Sequence, residues 1–268
     1  MEVSPWISRL FYSAALVAFI FLSACGNRFD LSTERGRRAR IDEANFHLSK
    51  GECSAALEAI SYLYNSPQVD DEVRLITASA HACAGTFNML TLVGNLSGAS
   101  NYFSVLAKSL ANSSGDGGVS AFYRATDVLT QNGTLMSGSQ RSKSVNNYMV
   151  FLQLGLVGSI LRNYGNPATD GSQQTNLVYD TGSNPAGEMT NEDACALGAA
   201  LSIFVDSYAN SSLSDSDTAS VVNSVNSTCT SAGLASCSQI SKDRSGCDGT
   251  NAQSVVADSV VDGINTSW

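Results

Sequence analysis

The sequence is poor in charged residues, in histidine and in closely spaced cysteines. Charged side chains make up 15% of its 268 residues, and 24 acidic against 15 basic side chains leave a net charge of −9. An acidic chain of this kind is a poor partner for nucleic acid, whose phosphates need clustered basic side chains. No CxxC pair and no cluster of cysteine with histidine occurs in the sequence, which argues against structural zinc. We therefore predict no metal, no cofactor and no nucleic-acid partner.

Motifs of familiar catalytic sites are missing or incomplete. Asp180-Thr-Gly-Ser183 resembles the aspartic-protease signature, but that mechanism needs two carboxylates that share a proton. The sequence holds one copy, and no β-rich lobe is predicted around it. Asp116-Gly-Gly118 lacks the lysine and the preceding strand of a phosphate loop, and no nucleophile elbow supports Ser-His-Asp catalysis. We therefore predict that the chain is not an enzyme.

The apolar segment near the N-terminus indicates export. It runs from Phe11 to Leu22, about the length of a signal-peptide core and short of the roughly 20 apolar residues that span a membrane. It ends in Leu22-Ser23-Ala24-Cys25, followed by Gly26, and this ending resembles the lipobox of bacterial lipoproteins. In that family signal peptidase II cuts before the cysteine, whose thiol is lipidated and whose freed amine is acylated.

The resemblance implies a signal peptide over residues 1–24, a mature chain that begins at acylated, palmitate-bearing Cys25, and a lipidated tether over residues 25–37. Acyl chains bury many methylene groups in a bilayer, so two or more form an effectively permanent anchor. Gly26 in place of aspartate fits export to the outer membrane, where the protein would face the periplasm. A plain signal peptide or an uncleaved anchor is the alternative interpretation of the leader.

Four basic side chains follow within six positions, namely Arg35, Arg37, Arg38 and Arg40. Basic residues near a helix start oppose the helix dipole, so another interaction would have to favour them. Anionic lipid headgroups are one candidate, because each juxtamembrane basic residue contributes about 1 kcal/mol near such a surface. The alternative is a solvated face with the nearby acids Glu34, Asp42 and Glu43.

Apolar residues at spacings of three and four predict an all-α domain over residues 38–268. The predicted helices cover residues 38–48, 54–64, from Asp70 or Asp71 to Gly85, from Asn88 onward, 102–110, 122–129, 145–164, from Thr190 to 208, 214–230 and 252–264. The helix over 145–164 carries polar residues such as Gln153, which favours a core helix over a membrane span. A turn-rich linker is predicted at 112–118 and a long polar loop at 165–187.

A period of 34 residues relates the first two helix pairs. Gly85 lies 34 residues after Gly51, and the same offset carries Ala44 to Ala78 and His47 to His81. Thirty-four is the length of the tetratricopeptide repeat, and residues 38–96 resemble a pair of such repeats. The resemblance implies a helical bundle or short α-solenoid built from antiparallel helix pairs, with residues 97–268 as the helical-bundle part. It also places partner contacts on the first helices, with candidates Asn45, His47, Leu48, Arg74, Ser79 and His81.

Six cysteines remain once Cys25 is set aside, and an even number favours disulfides in an oxidising compartment. A Cys237–Cys247 bond would clip the polar loop between them and leave Cys195–Cys229 to join two helices. The repeat resemblance implies a Cys53–Cys83 bond, because the start of one repeat's second helix and the end of the next repeat's first helix lie at the same level.

These features predict a scaffold or protein-binding lipoprotein of the bacterial cell envelope, with an envelope protein as its partner. The alternative is a small-ligand-binding lipoprotein associated with a transporter, which would hold a closed apolar pocket. A third option is an envelope enzyme that uses the 165–187 loop as a lid. His47 and His81 occupy equivalent repeat positions and could bind a metal or sense pH, but no third ligand presents itself and packing is the commoner use.

Overall fold

The computed structural model describes residues 30–66, 69–86, 88–96, 99, 101–110, 117–130, 136–179 and 188–268, and these contain helices but no strands. The ten α-helices are α1 Glu34–Ser49, α2 Cys53–Tyr64, α3 Asp71–Ala84, α4 Met89–Leu96, α5 Tyr102–Ser109, α6 Gly117–Thr130, α7 Lys143–Gly165, α8 Asn191–Ala209, α9 Ser216–Ser231 and α10 Ala252–Ser267. The all-α prediction is confirmed. The signal peptide, Cys25, the first part of the tether and Asp180-Thr-Gly-Ser183 lie outside the described residues.

Polar side chains at the helix starts explain where the helices begin. The carboxylate of Asp70 accepts a hydrogen bond from the backbone N–H of Val73, and the hydroxyl of Thr190 accepts one from that of Asp193. Such caps satisfy backbone donors that have no partner inside the helix. Thr33 caps α1 in the same way, and α1 therefore begins four residues earlier than predicted, inside the predicted tether.

The first three helices form a layer with a small core of its own. Helices α1, α2 and α3 pack in succession, and α1 also contacts α3. Their shared core contains Ile41, Ile60 and Val73, each at most 1% exposed. Cys53 at the start of α2 is bonded to Cys83 near the end of α3, with 5.6 Å between their Cα atoms, so the predicted Cys53–Cys83 disulfide is present.

Helix α3 joins this layer to the rest of the fold by packing against α6, whereas α4 packs against α5. Gly85, at the end of α3, allows the close approach, because a Cβ there would lie 3.2 Å from the carbonyl oxygen of Gly118 and from the Cβ of Ala121. The second repeat-like pair is therefore arranged differently from the first, since α3 finds its main neighbour more than thirty residues further along the chain.

The 23-residue helix α7 forms the centre of the larger core, where it packs against α5, α6 and α8. Among the described residues it is the one helix with the length and hydropathy to cross a membrane, yet 78% of its most apolar stretch is buried inside the fold. A Cβ at Gly158 would lie 2.7 Å from the carbonyl oxygen of Leu106, so glycine lets α5 press directly onto α7. In this structure α7 is a core helix.

The other two disulfides differ from the predicted pairings. The structure joins Cys195 to Cys247 and Cys229 to Cys237, and the predicted Cys237–Cys247 and Cys195–Cys229 bonds are wrong. After α9 the chain turns at Gly233, whose φ is +80°, and returns Cys237 to the last turn of α9. Cys247 instead pairs with Cys195 near the start of α8, with 5.8 Å between their Cα atoms.

Candidate functional site

A cleft with a volume of about 1030 Å³ lies between α6, α7 and α8. The segment 242–245 lies along its rim, and Tyr64 and His81 line it from the side of the first layer. Its floor is apolar and contains Val128, Leu156, Ala196, Ala199, Ala200 and Ile203. The four residues from α8 follow helical spacing, so one face of that helix forms a wall of mostly small side chains.

Gln153 also lines the cleft, and like Thr126 and Thr130 it is a buried polar residue. Its side chain is fully buried, and its Nε2 donates a hydrogen bond of 3.0 Å to the hydroxyl of Thr126 on α6. Its Oε1 has no hydrogen-bond partner in the part of the chain that the structure describes. A buried acceptor without a partner costs about 1–3 kcal/mol, so within the described residues this oxygen lowers the stability of the fold.

Arg244 holds the rim segment against the helices. Its guanidinium donates to both carboxylate oxygens of Asp127 at 2.5 and 3.0 Å, and to Glu192 at 3.3 Å. It also lies 4.6 Å from the centre of the Tyr123 ring, where a cation–π attraction adds to the ion pairs. The hydrogen bond to Asp127 raises the pKa of Arg244. Both rim carboxylates, on α6 and α8, are thus paired with one guanidinium, whose single positive charge leaves this group of three side chains with one net negative charge.

Below Arg244, two tyrosines share the carboxylate of Asp193. The hydroxyl of Tyr123 donates to Asp193 Oδ1 at 2.5 Å, and the hydroxyl of Tyr164 donates to Oδ2. Burial, reinforced by Asp193, raises the pKa of Tyr123 far above its ordinary value and that of Tyr164 to about 12. Both hydroxyls therefore stay protonated at neutral pH, and the three side chains join α6, α7 and α8 behind the cleft.

The other end of the rim is fixed by Asp206 on α8. Its Oδ2 accepts hydrogen bonds from Lys242 Nζ at 2.6 Å and from the backbone N–H of Gly138 at 2.7 Å, and it forms an ion pair with Arg141 at 3.4 Å. The Cys195–Cys247 disulfide attaches the chain just beyond Arg244 to α8. Ion pairs at 242 and 244 and a disulfide at 247 therefore hold the rim in one position.

The structure brings one of the six predicted partner contacts, His81, to the cleft. His47 instead bonds the Glu52 carboxylate at 2.6 Å through Nδ1, and Ser79 hydrogen-bonds Tyr148 of α7. Leu48 packs against the small core, while Asn45 is exposed on α1 and Arg74 is half-buried on α3. These six residues therefore do not share one surface site.

His81 is half-buried, and its pKa is lowered first by burial and then by the charge of Arg124, against an opposing effect of Asp127. It is therefore favoured in the neutral form at the cleft wall. Within the described ranges, no group of three or more histidine, cysteine, aspartate or glutamate side chains could hold a metal ion. His47 and His81 lie on α1 and α3, but they do not belong to a shared metal site in the part of the chain that the structure describes.

Three of the four clustered arginines pair with acids. Arg37 pairs with Asp70, and Arg38 pairs with Glu72 at 2.8 Å. Arg40 pairs with Glu43 at 2.7 Å on its own helix and lies 4.7 Å from the centre of the Tyr62 ring, while Arg35 is exposed. The Arg37 and Arg38 pairs tie α1 to the start of α3, and contact of the arginines with a membrane surface stays a prediction.

Sequence analysis missed the cleft because its polar residues come from separate helices. Gln153 was visible as a single glutamine within an apolar helix, which was its only signal in the sequence. Arg244 bonds Glu192, which is 52 residues away in the chain, and Asp127, which is 117 residues away. No local sequence pattern links these three residues.

Comparison of the chain with protein families, with curated protein sequences and with solved structures finds no match.

Proposed function

We propose that this chain is a lipid-anchored envelope protein that binds a small ligand in the cleft between α6, α7 and α8. The observation that supports it best is the cleft itself, a space of about 1030 Å³ whose floor is formed mostly by apolar side chains of α6, α7 and α8. Ligand sites commonly have volumes of about 300–1000 Å³ with apolar linings and a few polar groups. The cleft belongs to this class in size and chemistry.

The side chains around the cleft favour binding over catalysis. The rim carboxylates of Asp127 and Glu192 are both occupied by Arg244, so they are poorly placed to act as a free acid and base pair. The tyrosine hydroxyls are committed to Asp193 and their pKa values are raised, which removes them as nucleophiles or bases near neutral pH. We therefore propose a binding protein and not an enzyme.

The envelope location rests on the lipobox resemblance of Leu22-Ser23-Ala24-Cys25 and is supported by the cysteines. The six cysteines other than Cys25 form three disulfides, and disulfides persist in oxidising compartments such as the bacterial periplasm. A mature chain that begins at acylated Cys25 would hold the helical domain next to a membrane, with outer-membrane anchorage favoured by Gly26. A ligand binder in that position could pass its ligand to a transporter.

Filling the cleft should abolish binding without unfolding the protein. Ala199 lines the cleft floor and is 3% exposed. In Ala199→Phe we expect the ring to extend into the cleft and occupy ligand space, with a loss of about 1 kcal/mol in the free energy of unfolding, the low end of the cost of overpacking. Binding would be measured by titration calorimetry with three eight-carbon probes, octan-1-ol, 1-methoxyheptane and octanoate. The full chain would be held in lipid nanodiscs, and empty nanodiscs would correct for partitioning. The wild type should bind at least one probe, and the variant should lose about tenfold or more in affinity.

Ala194→Phe is the matched control, because Ala194 is fully buried on the same helix but does not line the cleft. There the ring overpacks the core, and we expect a loss of about 1–3 kcal/mol in the free energy of unfolding. Equal destabilisation by the two variants, or a wild type that binds none of the probes, would contradict a ligand cleft at this place.

A second candidate is the envelope scaffold that the repeat resemblance implies. Its support is α4, whose Leu90 is 81% exposed beside the partly exposed Met89 and Val93. Exposed apolar groups of this kind are typical of protein-binding surfaces. The two candidates respond differently to Ala199→Phe, because a scaffold would keep its envelope partner when the cleft is filled.

A further inference from the structure

We infer that the rim segment 242–245 is the gate of the cleft, and that the observed arrangement is the closed state. A ligand reaches the floor only after this segment has moved away from α6 and α8. The inference rests on the proposed function and adds the route by which the same cleft is filled. It follows from the burial of the floor, from the attachment of the chain on both sides of the segment, and from the exposed ion pairs that hold its middle.

The apolar floor is almost inaccessible in the observed arrangement. On α8, Ala196, Ala199, Ala200 and Ile203 are each at most 3% exposed, and on α6 Val128 is 6% exposed. An apolar ligand binds by direct contact with such side chains. It can therefore use this floor only when an element that covers it moves aside.

The rim segment follows the same face of α8 as the floor. At spacings of three and four, this helix presents one stripe made of two acids with floor residues between them, namely Glu192, Ala196, Ala199, Ile203 and Asp206. The acid at the start of the stripe pairs with Arg244, and the acid at its end pairs with Lys242. The segment is therefore fixed by an ion pair at each end of the floor.

The chain is attached to α8 on both sides of the segment. Before it, the buried hydroxyl of Ser202 donates to the backbone oxygen of Ile240 at 2.9 Å, and after it Cys247 is bonded to Cys195. Positions 195 and 202 lie about 10 Å apart along a helix, whereas the chain from 240 to 247 can span about 23 Å when extended. The segment therefore has enough length to swing outward while both attachments stay in place.

The middle of the segment is held by exposed ion pairs. Arg244 is 29% exposed, and its partners Asp127 and Glu192 are 54% and 56% exposed. An exposed ion pair changes an equilibrium constant by about fivefold at most, whereas α6, α7 and α8 are joined by the larger core. The segment also contains no helix or strand. Among the elements around the cleft, it is the one whose movement costs least.

Solvent access to the floor tests the gate without any ligand. The full chain would be held in lipid nanodiscs with labelled alanine and isoleucine methyl groups, and a neutral soluble gadolinium chelate would enhance the NMR relaxation of methyl groups that solvent reaches. Arg244→Gln removes the ion pairs, so we expect the enhancement at Ala199 and Ile203 to rise about fivefold. The methyl group of Ala194, which is buried outside the cleft, should not change.

Arg40→Gln is the matched control, because Arg40 also pairs with an acid and lies over a tyrosine ring, but on α1. It should keep the wild-type enhancement at the floor. Raising the salt concentration of the wild type from about 0.01 M to about 1 M screens the ion pairs and should open the floor as well, which replaces Arg244→Gln if that variant does not fold. No rise at the floor, or an equal rise at Ala194, would overturn the gate.

Ligand exchange links the gate to the proposed function. With the tightest-binding of the three probes, Arg244→Gln should raise the association and dissociation rates together by about fivefold, since one movement admits and releases the ligand. Exchange of the Ala199 methyl signal between its free and bound positions gives both rates. Unchanged rates would overturn the gate and leave the ligand cleft standing. A floor that opens in a protein that binds none of the probes would remove the proposed function and leave only the movement.

Discussion

Replacing Arg141 with methionine is expected to lower the free energy of unfolding by about 3–5 kcal/mol. The Arg141 side chain is 1% exposed, and burial lowers its pKa against the opposing attraction of Asp206. Its guanidinium donates to Asn146 Oδ1 and Ser207 Oγ, both at 2.9 Å, and to the backbone oxygen of Met136 at 3.1 Å. Methionine would fill much of the space and leave these buried acceptors without a donor.

Urea unfolding of the full chain measures this effect, and Arg35→Met is the matched control. Arg35 is exposed on α1, so its replacement should change the free energy of unfolding by no more than about 0.5 kcal/mol. The Arg141 variant should also loosen the rim of the cleft, because Asp206 bonds both Arg141 and Lys242. Equal stabilities of the two variants would show that the Arg141 network contributes nothing to the fold.

Removing the Cys195–Cys247 bond is expected to lower the free energy of unfolding by about 4 kcal/mol. The bond joins residues that are 52 positions apart, and a disulfide that closes a longer loop restricts the unfolded chain more. The variant carries Cys195→Ser and Cys247→Ser together, so that no free thiol is left to mispair. It should also release the chain beyond Arg244 from α8 and weaken binding in the cleft. Urea unfolding gives the stability, and probe calorimetry gives the binding.

The Cys229–Cys237 bond supplies the control for this variant. It joins residues that are 8 positions apart. The double variant Cys229→Ser, Cys237→Ser should therefore lower the free energy of unfolding by less, about 2.5 kcal/mol by the same entropy argument, and should leave the cleft intact. Peptide mapping of the unreduced wild type should find Cys195 linked to Cys247. A Cys195–Cys229 linkage, or the same loss of binding in both double variants, would contradict this arrangement.

Local signals predicted the helices well, because caps and apolar spacing act within a few residues. Asp70 and Thr190 start helices as expected, and Gly51 and Gly85 directly follow the turns that end α1 and α3. The packing of α3 against α6 was not visible, because it depends on a close approach at Gly85 that no spacing pattern encodes. The pairing of Cys237 likewise depended on the turn at Gly233, which brings it back to Cys229.

The candidate site was hidden for the same reason. Gln153 looked like one polar residue of a core helix, and only the fold shows that its amide nitrogen donates to Thr126 of α6 beside the cleft. One contact of the clustered arginines does follow from a sequence pattern. Arg38 and Glu72 are 34 residues apart, which is the period of the repeat-like region. A repeat that aligns α1 with α3 brings Arg38 and Glu72 to equivalent positions, and so to within reach of each other.

The most direct test of an exported, lipid-anchored ligand binder is the native mass of the chain purified from its own membranes. We predict a covalent mass that begins at Cys25, carries acyl groups and lacks the six hydrogens of three disulfides, together with a small molecule that dissociates on activation. A chain that still begins at Met1, carries no fatty acid and has six free thiols would contradict the account.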